Sequence, residues 1–119
     1  MKKTETLKPI VLTNTDTNET FTLEFTRDTV KFAESRGFIA DNIDKFPNTL
    51  VPDLFYFAFR AHHKRMTHEM TDKILFEDLG GMPEGMLTRL VELYYAPLEA
   101  LTQSDEDKAR KNAKMTVDF

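Results

Sequence analysis

The chain contains no cysteine and no tryptophan, four glycines, and only two serines, Ser35 and Ser104. Each scarcity removes a class of chemistry. Without cysteine there is no disulfide framework, no thiolate-bound zinc or iron–sulfur cluster and no thiol nucleophile. Neither serine stands in a GxSxG turn of the kind that exposes a nucleophile. Three of the four glycines fall in Leu79-Gly80-Gly81-Met82-Pro83-Glu84-Gly85. No Gly-Lys-Ser/Thr follows, and Glu84 repels an anion, so this run reads as a helix–helix connection rather than a phosphate cradle. No apolar run reaches the ~18–20 residues that span a bilayer. The densest, Leu50 to Ala61, is interrupted by Pro52, Asp53 and Arg60. The opening MKKTETLKP lacks the apolar core of a signal peptide. A cytoplasmic protein with no membrane contact is expected.

What is present is a charged, phenylalanine-rich chain of 119 residues, with 16 Lys and Arg against 20 Asp and Glu and ten Phe. The length is that of one domain. The net charge of −4 makes general affinity for nucleic acid a poor expectation.

The first quarter reads as a β-hairpin. Ile10 and Leu12 alternate with Val11 and Thr13, and Phe21, Leu23 and Phe25 alternate with Thr22, Glu24 and Thr26. Asn14 to Asn18 supplies the turn. A lone hairpin is marginal in water, so helices must cover its apolar face. Asp28 is expected to cap a first helix carrying Val30, Phe32 and Ala33, with Gly37 as its C′ residue and Phe38 as the apolar partner of a Schellman ending. Asp41 caps a short turn that Pro47 stops. Pro52 sits near the start of a central helix, apolar on two faces through Leu54, Phe57, Ala58, Phe55 and Phe59. Thr71 is the expected cap of the next helix, with Ile74, Leu75 and Leu79 buried, and Gly80 and Gly81 end it. Pro83 opens a last helix whose apolar face runs through Met86, Leu90, Leu93 or Tyr94, Pro97 and Leu101, widened by Leu87, Val91 and Leu98. Pro97 should break it near Tyr94. The fold class is α+β: an N-terminal hairpin packed on four to five helices, one domain over 1–102, then a flexible charged tail over 103–119.

Three histidines, His62, His63 and His68, lie close together. None pair at the i, i+4 spacing that points two rings at one metal. No metal, cofactor or catalytic residue is expected. Arg60 to His68 is the one basic cluster. It reads either as a contact for an acidic partner or phosphate, or as cations complementing a helix C-terminus. Exposed aromatic and thioether contacts are expected from Tyr94, Tyr95 and Met66, and from Met115 to Phe119. The candidate partner-binding residues are Arg60, His63, Lys64, Arg65, Met66, Tyr94, Tyr95 and Phe119. The hairpin's edges could also pair between copies, giving a homo-oligomer.

The segment from Leu54 to Leu101, LFYFAFRAHHKRMTHEMTDKILFEDLGGMPEGMLTRLVELYYAPLEAL, resembles small proteins encoded in the tail-morphogenesis region of siphophages and prophages of Gram-positive bacteria. Leu54 to His63, Thr71 to Gly81 and Leu90 to Leu98 carry the resemblance, which is to the tail assembly chaperone class. It implies a non-enzymatic protein of the bacterial host cytoplasm that coats the tape-measure protein before the tail tube polymerises, with the tail-tube protein as a second partner. The class offers no residue motif to transfer. Two other readings compete with it: a small nucleic-acid-binding regulator using the basic cluster, and a structural tail or connector component.

Overall fold

The computed structural model describes residues 7–101, together with Met115 and Asp118. The expected tail over 103–119, including the candidate Phe119, therefore falls outside the described residues except for those two positions. Two strands, β1 (Ile10–Thr13) and β2 (Thr20–Leu23), pair antiparallel with Ile10 opposite Leu23 and Leu12 opposite Phe21. Because side chains alternate with period two, these four apolar residues share one face. Asn14 builds the turn: its side-chain oxygen accepts from the Asp16 and Thr17 amides, while its backbone amide donates to the Glu19 carbonyl. Asn18 closes it at φ 64°, a left-handed conformation that asparagine tolerates.

Four α-helices follow: α1 (Arg27–Ser35), α2 (Pro47–Ala58), α3 (His68–Lys73) and α4 (Glu84–Tyr95). The α+β expectation is met. Several boundaries move, each for a local reason. Thr26, not Asp28, caps α1: its hydroxyl accepts from the Thr29 amide, and the Thr29 hydroxyl accepts in return from the Thr26 amide. This reciprocal pair satisfies two otherwise orphaned donors. Thr26→Ala should lower stability by about 1 kcal/mol, measured as a fall in urea midpoint at unchanged slope. At the other end, Gly37 adopts φ 87°. Its amide donates to the Glu34 carbonyl and that of Phe38 to the Ala33 carbonyl, the two bonds of the Schellman ending.

Pro47 opens α2 rather than stopping the preceding turn, which spans Ala40–Asn42 in 3-10 form. Pro52 consequently lies inside α2, not at its start. Its ring forfeits a bond to the Asn48 carbonyl, a residue at the exposed end of the helix. Thr67, not Thr71, caps α3; Thr71 is fully buried, its hydroxyl donating to the His68 carbonyl. α3 runs into a π-helical turn, Ile74–Asp78, closed by the Leu79 amide on the Ile74 carbonyl. The wider turn changes the phase of the helix. Leu75 stays buried, while Leu79 rotates to 36% exposed instead of joining the buried face. α4 stops at Tyr95, and Pro97 sits in the 3-10 turn Ala96–Ala100 that follows.

The core forms around α2. Phe55 and Phe59, one turn apart, meet edge to face at 5.0 Å, and Phe59 meets Phe21 of β2 at 5.5 Å. On another side Phe57 meets Phe32 of α1 and Phe38. Phe38 in turn meets Tyr94 of α4, which also meets Phe25. The rings thus join the hairpin, α1, α2 and α4 in edge-to-face pairs, the favoured aromatic geometry. No helix among the described residues is long and apolar enough to cross a membrane.

Candidate partner-binding site

The candidate residues separate into two places. Arg60 to Met66 form the irregular turn after α2, and most of this turn is engaged internally. The Arg60 guanidinium lies 3.9 Å over the Phe32 ring, and that of Arg36 lies 4.7 Å from the same ring centroid. Such stacking fixes the guanidinium and covers the ring. Met66 packs half-buried against the core. Lys64 and Arg65 are exposed.

The histidines are drawn to separate partners. His62 Nε2 lies 2.6 Å from Glu24 Oε1 at the solvent boundary. His68 faces two carboxylates, with Nε2 2.7 Å from Asp53 Oδ1 and Nδ1 3.4 Å from Asp72 Oδ1, and stacks on Tyr56. His63 does something different: its Nε2 accepts the Thr22 amide at 2.9 Å. Two residues on, the Glu24 amide donates to the Ala58 carbonyl at 3.0 Å. The outer edge of β2 is therefore closed by the end of α2 and the turn behind it. This corrects the expectation that both hairpin edges are open for pairing between copies.

Accepting from Thr22 needs a lone pair on His63 Nε2, so a proton there abolishes the bond. His63→Ala should therefore lower the protection of the Thr22 amide from hydrogen exchange, corrected for intrinsic rate. In His63→Gln, whose side-chain oxygen can accept in place of Nε2, protection should be largely kept.

Tyr94 and Tyr95 lie elsewhere and differ from each other. Tyr94 is 6% exposed and belongs to the core. As an exposed contact it is corrected: Leu90, Leu93 and Tyr94 sit at i, i+3 and i+4, the buried row of α4. Burial, helped by the charge of Glu34, pushes its hydroxyl up to about 12. Tyr95 is half-buried, and its hydroxyl donates to Asp41 Oδ1, which chiefly pushes it up to about 12 as well. Both favour the protonated form in the fold. The stabilisation is therefore complete below pH 10 and lost as the pH rises through about 12. In an alkaline titration read by tyrosinate absorbance, Tyr95→Phe should remove one of the late ionisations.

The two tyrosines form part of the floor of a groove of about 420 Å³ between α1 and the 3-10 turn. Val30 completes the floor; Pro97, Leu98 and Leu101 make the far wall, and Arg27, Lys31 and Glu34 line the rim. Leu98 and Leu101 are each 55% exposed, although the helical pattern assigns them to a buried face. Pro97 is the reason, because the 3-10 turn it occupies rotates the following residues away from the row that buries Leu90 and Leu93. The sequence carried that signal in Pro97, but the α1 side of the groove becomes visible only when the chain folds. No curated protein and no solved structure matches the chain. Residues 1–119 match the family described as a domain of unknown function, DUF5055, and the chain belongs to that family.

Proposed function

We propose that the protein is a non-enzymatic phage tail assembly chaperone of the host cytoplasm, which holds the tape-measure protein before the tail tube forms. The observation that carries this reading is the apolar groove with exposed Leu98 and Leu101, a surface suited to an apolar helical stripe on a client. The resemblance over Leu54 to Leu101 supports the tape-measure protein as the client. The internal engagement of Arg60 and His63 favours a protein partner over nucleic acid, since Lys64 and Arg65 alone make a small electrostatic footprint. Mass spectrometry on assembling lysates and on purified particles tests the reading. An assembly chaperone is abundant in the lysate and absent from the finished virion. Stoichiometric recovery from the virion would replace it with the structural tail or connector reading.

A further inference from the structure

We propose that the groove between α1 and the Ala96–Ala100 turn takes an amphipathic α-helix of a partner protein whose flank carries two acidic residues four positions apart. This deepens the chaperone reading and rests on it for the biological client. The rim of α1 sets the charge pattern. Arg27, Lys31 and Glu34 follow at i, i+4 and i+7 and are all exposed, so they form one row. Among the described residues, neither Arg27 nor Lys31 is in an ion pair. A helix laid along this row meets two positive charges one turn apart and then a negative one. Its complement is acid, acid, base at the same spacing, or the reverse order if it runs the other way.

The opposite wall supplies the apolar contact. In a 3-10 turn, residues three apart eclipse one another. Leu98 and Leu101 are three apart, and the Leu101 amide donates to the Leu98 carbonyl at 3.0 Å. Their side chains therefore stand on one edge as a short apolar ridge. The floor is fixed in advance: Tyr94 is wedged between Phe25 and Phe38, and Tyr95 is tied to Asp41. Such pre-organisation lowers the ordering cost of binding.

The same pattern argues against a second copy or the chain's own tail as occupant. In the whole sequence the only acids four apart are Glu24 and Asp28, and Glu24 precedes α1. No helix among the described residues offers acids at that spacing, and no other stretch of the sequence has them, so the partner is a different protein.

The test uses two designed 18-residue helical peptides with one shared leucine stripe. One carries Glu, Glu and Lys at i, i+4 and i+7 beside it, and the other carries Lys, Lys and Glu; each is made in both sequence directions. The Glu-Glu peptide should bind the full-length protein about tenfold more tightly at low salt, shifting the methyl resonances of Val30, Leu98 and Leu101. Arg27→Glu with Lys31→Glu should reverse the preference, and Leu98→Ser should weaken both peptides. Equal binding of the two peptides, or shifts confined to other surfaces, would overturn the proposal. So would self-association that Leu98→Ser abolishes while neither peptide binds. If the tape-measure protein binds with unchanged affinity to the charge-reversed and Leu98→Ser variants, this inference fails and the chaperone reading stands. If the Glu-Glu peptide is selected but the tape-measure protein does not bind, the reverse holds.

Discussion

Phe55→Ala should lower the free energy of unfolding by about 3–5 kcal/mol, the range for deleting a large buried aromatic. Phe55 is fully buried, and its ring packs edge to face on Phe59, which in turn packs on Phe21 of β2. Truncation loses the transfer free energy of the ring and leaves a cavity that stiff neighbours cannot fill. It also removes one member of the chain of rings that fastens the hairpin to α2. For a domain of this size, typically stable by about 5–15 kcal/mol, the loss is a large fraction of the total. Phe76→Ala is the matched control, since Phe76 is 57% exposed on the π-helical turn. It should change stability by about 0.5 kcal/mol or less. Urea titration of both variants by circular dichroism reads the difference directly.

The second large effect concerns binding. Leu98→Asp should reduce retention of the tape-measure protein by about tenfold or more, because it places an unpaired charge on the apolar ridge of the groove. Leu98 is half exposed, so the substitution leaves the core and the fold intact. Lys64→Glu combined with Arg65→Glu should change retention by about twofold at most, as rim charges remote from the groove do. The two variants thus compare the surface that the basic cluster suggested with the surface that the fold assembles. Retention of tape-measure protein on immobilised variant, measured at equal loading, gives the ratio.

The hairpin, the Schellman ending at Gly37 and the central position of α2 were legible because each is a local pattern. Period-two alternation from Phe21 to Phe25, one Gly followed by Phe38, and apolar residues on two helical faces need no tertiary information. The helix starts were less legible. Thr26, Asp28, Thr67 and Thr71 are all competent caps, and the choice depends on which side chain must be buried: Thr71 lies fully inside, so Thr67 takes the terminus. The phase of the α3 helix failed at Leu79 because a π-helical turn adds a residue that no hydrophobic period announces. The site was the least legible part. Arg60 and His63 drew notice as a basic cluster, yet their partners, Phe32 and the Thr22 amide, lie 28 and 41 positions away. Leu98 and Leu101 were read as part of the apolar face of the last helix, and only the bend at Pro97 brings them to the surface beside α1.

A chaperone of the tape-measure protein must form a complex with it. Co-expression of the two followed by size-exclusion chromatography tests it most directly. One early-eluting peak containing both chains is expected, with the tape-measure protein held soluble, and separation of the two when Leu98→Asp replaces the parent. Two separate peaks from the parent pair, with the small protein eluting alone, would contradict it.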